Sequence, residues 1–164
     1  MRGTIAMRLL AAAVGLAALA AVGALALGAG TSELPDGLTV LGKPVTSEQI
    51  ALGRDIYAKD CASCHGAKLE GQPDWKRRLE NGRMPAPPHD ESGHTWHHSD
   101  QNLFTITSLG VGGIVPGYES DMPAFGEILS DREIAAVLAF IKSTWSGRQR
   151  EWQTEVTANG RSEP

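Results

Sequence analysis

The residues best suited to chemistry are Cys61-Ala-Ser-Cys64-His65, in which the chain's two cysteines are followed directly by a histidine. On a helical turn, side chains three and four residues apart lie on one face. Both thiols can therefore reach one flat ligand, and the His65 imidazole can reach a metal ion at its centre. The C-x-x-C-H spacing is the attachment signal for a c-type haem. We predict one covalent haem c per chain, bound by Cys61, Cys64 and His65.

Two other chemistries would also use a pair of cysteines at this spacing. A thioredoxin-like redox disulfide would need a strand–helix context, and it would give His65 no role. A structural zinc site would need two further Cys or His ligands with suitable spacing. A haem accounts for all three residues, so we favour it over both alternatives.

The composition of the chain agrees with a cofactor in the core. Of the 164 residues, 5% are aromatic, while 19 are Gly and 9 are Pro. A small domain with so few large side chains in its core usually needs disulfides, a metal or a cofactor to be stable. We therefore expect the haem-free chain to be largely unfolded. Once Arg2 and Arg8 are set aside, 13 of the 15 Lys and Arg remain against 19 Asp and Glu. This acidic balance argues against a nucleic-acid partner, which needs a basic surface.

Residues 1–30 form an apolar segment whose only charges are Arg2 and Arg8. A stretch of this length can span a bilayer, whereas a shorter stretch with a small-residue cleavage site is typical of a secretory signal. We predict an N-terminal apolar helix that anchors the chain in the bacterial inner membrane. The alternative is a cleaved signal and a soluble periplasmic protein. In both cases the remainder of the chain lies on the periplasmic side.

Three helices are predicted to position the motif. Helical periodicity and capping residues place their starts at Ser47, Ser99 and Ser130, the last with a capping box. The first helix should run to about Asp60, and long Gly- and Pro-rich loops separate the three. Residues 31–46 have no periodicity and are predicted to be a linker. Residues 146–164 are predicted to be a polar, disordered tail.

Residues 47–145 closely resemble the class I cytochromes c. The resemblance rests on the helix ending in Cys61-Ala-Ser-Cys64-His65-Gly66, on Asp121-Met122-Pro123-Ala124-Phe125 and on the final capped helix. It implies an all-α cytochrome c fold, with helices and long loops around one haem. It also implies one-electron transfer, with His65 and a methionine as the axial iron ligands.

The resemblance implies two further features of the site. The first and last helices of that family cross near a glycine and aromatic residues, for which Gly53, Tyr57 and Phe140 are the matching candidates. The family also uses a proline carbonyl to hold the N–H of the proximal imidazole, a contact that orients the ring and tunes the metal. Three prolines of this chain could provide it: Pro85, Pro87 and Pro88.

The second axial ligand is to be chosen among Met84, Met122 and the histidines that follow Met84. Met122 fits best, because Pro123 keeps it in extended backbone and because it comes just before the final helix, where the family places its ligand. Met84 lies in the loop that follows His65, where the chain has had less length to reach the other side of the iron. A thioether opposite an imidazole favours ferrous iron and raises the potential.

Four of the five histidines fall within ten residues, a departure from the family pattern: His89, His94, His97 and His98. Imidazoles beside carboxylates suit copper or zinc, so a second metal site is an alternative here. The favoured interpretation is a polar loop over the haem edge, in which Trp96 or a histidine bonds a propionate. A nearby group of basic residues could steer an acidic redox partner: Lys68, Lys76, Arg77, Arg78 and Arg83.

Taken together, these features predict a periplasmic electron carrier that is held at the inner membrane. It would pass single electrons between redox proteins whose identity the sequence does not give. We do not expect an enzyme, although the chain could be a subunit of an oxidoreductase complex. The alternatives are a copper-linked redox protein and a haem enzyme or sensor with a labile sixth ligand.

Overall fold

The structure, a computed structural model, describes residues 37–160. It begins with a short antiparallel hairpin of β1 (Thr39–Val40) and β2 (Lys43–Pro44), in which Thr39 pairs with Pro44. Leu38 and Val40 are buried in the core. The described end of the predicted linker is therefore part of the packed domain. The sequence did not show this because strands of two residues are too short to produce an alternating pattern.

Within the described residues six helices follow the hairpin, and two long connections, 66–99 and 115–130, separate them into three consecutive pairs. Their bounds are α1 (Ser47–Ile56), α2 (Ala62–His65), α3 (Asp100–Leu109), α4 (Val111–Ile114), α5 (Asp131–Ser143) and α6 (Gly147–Ala158). One π-helical turn, Tyr57–Cys61, connects α1 to α2, and short 3₁₀ turns lie at Thr95–His97 and Phe125–Glu127. The mostly helical fold confirms the predicted all-α class.

Hydroxyl caps begin the three predicted helices. Ser99 accepts a hydrogen bond from the Asn102 backbone N–H at the start of α3, and Ser130 forms a capping box with Glu133 at the start of α5. The cap of α1 is Thr46, whose Oγ1 accepts from Gln49 N. The predicted cap, Ser47, is instead the first residue inside the helix.

Helices α1 and α5 cross at the position that the resemblance implied. A Cβ added at Gly53 would lie 1.9 Å from the carbonyl oxygen of Ala136, so glycine permits this backbone approach. Beside the crossing, the rings of Tyr57 and Phe140 pack with their centroids 5.4 Å apart. The Arg54 guanidinium lies over the Phe140 ring, 5.9 Å from its centroid. The predicted helix crossing near Gly53, Tyr57 and Phe140 is confirmed.

Helix α6 corrects the prediction of a polar tail from residue 146. Ser146 and Gln149 form a capping box, and Gln149, Gln153 and Val156 are buried. The helix has little amphipathic pattern because two of these buried side chains are glutamines. The Gln153 amide donates to Asp100 Oδ1 at 2.8 Å, which allows a polar side chain to be buried there. The Ser-x-x-Gln capping box was the local signal that could have revealed this helix.

A buried ion pair links several of these elements. Lys142 Nζ lies 2.5 Å from Asp100 Oδ1 and also donates to the Thr39 carbonyl at 2.7 Å. Asp100 Oδ2 accepts from the Leu41 backbone N–H in the hairpin turn at 2.8 Å. Together with Gln153, the pair joins the hairpin to α3, α5 and α6. Burial lowers the pKa of Lys142, and its contact with Asp100 opposes that shift.

The membrane prediction concerns residues 1–30, which lie outside the described part of the chain. None of the helices between residues 37 and 160 has the length and hydropathy to span a bilayer.

Candidate haem-binding site

The two cysteines lie where the chain turns from α1 into α2. Cys61 ends the π-helical turn and Cys64 lies within α2, and both are free thiols. Cys61 is half-buried and Cys64 is exposed. Burial and the neighbouring Asp60 raise the pKa of Cys61 to about 11, so its thiol is neutral at pH 7. The Tyr57 hydroxyl donates to the Gly66 carbonyl at 2.8 Å and so ties the end of the motif back to the helix.

His65 is buried at the end of α2, and a proline holds its ring. Its Nδ1–H donates to the Pro87 carbonyl, with 2.8 Å between nitrogen and oxygen. Burial lowers the pKa of His65, which favours the neutral imidazole. Because Nδ1 carries the proton, Nε2 is the nitrogen with a lone pair for a metal. Of the three prolines considered from the sequence, the structure selects Pro87.

The loop that carries Pro87 is held close to α2 by tight backbone contacts. Gly71 N donates to the His65 carbonyl at 2.8 Å, and a Cβ at Gly71, where φ is +69°, would lie 2.5 Å from Pro88 N. A Cβ at Gly93 would lie 2.0 Å from the Pro88 carbonyl oxygen. Pro88 itself is fully buried. The loop therefore holds the Pro87 carbonyl in place although it contains no regular helix or strand.

Met122 packs, half-buried, against the hydrophobic core. Its backbone N–H donates to Ser120 Oγ at 3.1 Å. The segment just before it is tied to the loop after His65, since Arg83 pairs with Asp121 and Tyr118 Oη accepts from Met84 N at 3.1 Å. The structure thus places the segments that carry the two candidate methionines beside each other. The sequence contained no spacing or motif that pointed to the Arg83 contact.

The histidine cluster does not converge on one point. His89 stacks on His65 with ring centroids 4.1 Å apart, whereas His94 stacks on Trp75 at 5.3 Å. His97 packs against Trp96, with centroids 3.8 Å apart. Among residues 37–160, no group of three or more His, Cys, Asp or Glu side chains could hold a metal ion. His94 and His98 are in edge-to-face contact, with centroids 5.3 Å apart, but no third ligand in the described part of the chain joins them. The alternative of a copper or zinc site at His89, His94, His97 and His98 is therefore not supported.

The residues present fit a haem c. The two thiols and the neutral, buried imidazole are the donors that such a group needs. In addition, the Trp96 Nε1 atom is buried and has no hydrogen-bond partner within the described residues. A buried donor of this kind normally has an acceptor, and a propionate carboxylate would be a suitable one. This agrees with the role predicted for Trp96.

The crossing of α1 and α5, the C-x-x-C-H turn and the histidine held by a proline carbonyl are together typical of c-type haem proteins. The chain belongs to the cytochrome c family, which matches it over residues 50–145. Membership of this family implies haem c as the cofactor.

Individual relatives share modest sequence identity with the chain. The CcoP subunit of a cbb3-type cytochrome c oxidase from Rhodobacter capsulatus is 28% identical over 112 residues, which cover 68% of this chain and 34% of the relative. A second CcoP sequence from that organism is 25% identical over 111 residues, with the same coverage. The chain thus spans about a third of the length of these curated relatives. Cytochrome cL from Methylophaga aminisulfidivorans is a similar solved structure, with 24% identity, a TM-score of 0.46 and coverage of 73% of this chain and 71% of that one.

Proposed function

We propose that the chain is a one-electron carrier with a single haem c and His65 and Met122 as axial ligands. The observation that carries this proposal is the geometry of His65. It follows two free thiols directly, it is buried, and the Pro87 carbonyl holds its Nδ1–H at 2.8 Å. This arrangement presents Nε2 in a fixed direction, as an iron ligand requires.

Each of the site residues has a separate role in this proposal. Cys61 and Cys64 would hold the haem covalently through one thioether bond each. His65 Nε2 and Met122 Sδ would bind the iron. When bound, the haem supplies a reversible one-electron change at that iron. The protein keeps the ligands fixed and the surroundings largely dry, so that little reorganises when the charge changes.

The test of this proposal uses the full chain, matured with haem. We expect a near-infrared sulfur-to-iron band in the ferric protein and no binding of CO by the ferrous protein at neutral pH. Met122→Ala should remove the band and admit CO. Met84→Leu is the matched control, because Met84 is the other half-buried methionine before a proline, and it should change neither property.

The outcomes separate the rival functions. Ready CO binding by the unmodified protein would show a labile sixth position, as in a haem enzyme or sensor, and would defeat the carrier proposal. Loss of the band in Met84→Leu but not in Met122→Ala would assign the ligand to Met84 instead. If Met122→Ala does not accumulate, Met122→His should keep the iron six-coordinate while replacing the sulfur band.

We also propose that the domain works on the periplasmic side of the inner membrane with redox proteins as its donor and acceptor. The support for this location is the apolar segment of residues 1–30 with its two arginines. Membrane fractions washed with alkaline carbonate should retain the intact protein. Recovery in the soluble periplasmic fraction, with a mass that lacks the apolar segment, would indicate cleavage instead.

The CcoP relatives are named as subunits of a cbb3-type cytochrome c oxidase, and an oxidase is one kind of redox partner that the chain could serve. Four of the five basic residues noted in the sequence are exposed: Lys68, Lys76, Arg77 and Arg78. The fifth, Arg83, pairs with Asp121. We therefore propose the first four residues as the basic region that steers an acidic partner. The rate of reduction by an acidic redox protein should fall as ionic strength rises, and less steeply in Lys68→Gln.

A further inference from the structure

His89 lies against the face of the proposed proximal ligand. Its ring is stacked on the His65 ring, with centroids 4.1 Å apart and planes inclined by 23°. Tyr57 meets His89 edge-on at 6.3 Å. The Pro87 carbonyl contacts His65 only at the Nδ1 edge. A hydrogen bond at one edge leaves an imidazole free to rock about that contact, and a flat ring packed on its face restricts the rocking.

His89 is itself held at three points. Its backbone N–H donates to the Leu69 carbonyl at 2.8 Å, and its backbone carbonyl accepts from Trp145 Nε1 at 2.8 Å. Its ring Nδ1 lies 2.8 Å from the hydroxyl oxygen of Thr95, which is buried. The ring that covers His65 is therefore anchored both through its backbone and through its side chain.

Thr95 is in turn held by the loop backbone. Its hydroxyl oxygen lies 3.3 Å from the Pro88 carbonyl oxygen and 2.8 Å from His89 Nδ1. The chain of contacts from Pro88 through Thr95 and His89 to His65 therefore restrains the orientation of both rings.

We propose that His89 is a positioning residue that sets the orientation of the His65 imidazole about its bond to iron. This inference rests on the proposed function, since it takes His65 as the axial ligand. The orientation of an axial imidazole against the porphyrin nitrogens sets the splitting of the iron d orbitals. Residues that orient a ligand in this way tune the metal without touching it. His89, which the sequence placed in a histidine cluster, thus acts on the haem iron through His65.

The test compares variants that keep or remove the stacked ring. His89→Phe keeps a flat ring of similar size, and His89→Leu removes it. In the ferric, haem-loaded protein we expect His89→Leu to change the pattern of hyperfine-shifted haem methyl resonances and to split or broaden the low-spin EPR signal. His89→Phe keeps a stacked ring but loses the hydrogen bond to Thr95, so its pattern should lie between those of the unmodified protein and His89→Leu. If His89 had only a structural role, its substitutions would alter stability but would give the same methyl and EPR patterns in His89→Leu and His89→Phe.

A second pair of variants acts on the anchor. Thr95→Val removes the hydroxyl that holds His89 and should shift the methyl pattern in the same direction as His89→Leu, while Thr95→Ser should not. This pair decides the question even if His89→Leu fails to fold. Unchanged methyl and EPR patterns in both His89→Leu and Thr95→Val would overturn the inference.

The near-infrared band separates this inference from the proposed function. A band in the unmodified protein and in every variant shows that the axial ligands are intact, so unchanged patterns then refute only the role of His89. A missing band in the unmodified protein would count against His and Met ligation itself.

Discussion

Substituting Gly53 by alanine should force α1 and α5 apart. The new Cβ would lie 1.9 Å from the Ala136 carbonyl oxygen, and real Cβ atoms essentially never approach closer than 3.0 Å. The backbones must therefore separate by about 1.1 Å, the difference between these two distances. Neither backbone can move aside as a flexible side chain would, because both belong to regular helices at the centre of the fold.

The separation weakens packing along the whole crossing. A radial gap of about 1 Å forfeits roughly a quarter to a half of the dispersion energy of the affected contacts. Ile50 and Ile56 of α1 and Val137 of α5 are buried side chains near this crossing. Their combined loss, with the strain of overpacking, should lower the free energy of unfolding by about 3 kcal/mol.

The assay is urea denaturation of the haem-loaded protein, followed by circular dichroism. With a slope of about 2 kcal/mol per molar urea, the midpoint for Gly53→Ala should fall by about 1.5 M. Gly147→Ala is the matched control, since a Cβ at Gly147 meets nothing within 4 Å at the start of α6. That variant should be unchanged or more stable by about 0.5 kcal/mol. Equal midpoints for Gly53→Ala and the unmodified protein would refute the reasoning.

Three further substitutions test other contacts. Replacing Lys142 by Met leaves the Asp100 carboxylate buried without its cation, and the free energy of unfolding should fall by about 3–5 kcal/mol; a urea midpoint equal to that of the unmodified protein contradicts this. Ser130→Ala removes the capping box of α5 and should cost about 1 kcal/mol, seen as a fall in Tm of about 4 °C; an unchanged Tm would show that the cap contributes little. Arg83→Gln frees the segment before Met122, and imidazole should then displace the sulfur of the proposed Met122 ligand a few times faster, because the ion pair with Asp121 no longer restrains that segment; the loss of the near-infrared band gives the rate, and an unchanged rate speaks against a role for the ion pair.

The parts of the fold that were predictable depend on short-range signals. A serine and a glutamate three residues apart are sufficient to start α5, because both capping bonds form within one turn. The crossing at Gly53 followed from resemblance to a family rather than from local pattern. Helix α6 was missed because its buried face consists largely of glutamines, whose burial depends on Asp100 and on other partners distant in the chain.

In the candidate site, too, the features set by neighbouring residues were predictable and those set by distant residues were not. The spacing of Cys61, Cys64 and His65 within one helical turn predicts the haem attachment, since all three side chains share a face whatever the rest of the chain does. The choice of Pro87 and the stacking of His89 on His65 depend on the path of the loop. Neighbouring prolines and histidines look equivalent in the sequence.

The sequence by itself determined the cofactor chemistry and the starts of the main helices, because these depend on residues within a turn of one another. The tertiary structure decided which proline carbonyl accepts from His65, which histidine stacks on it and which carboxylate pairs with Lys142. Each of these depends on contacts between residues that lie far apart in sequence. The path of the long loops and the close approach of the helices bring them together, and no local pattern encodes that path.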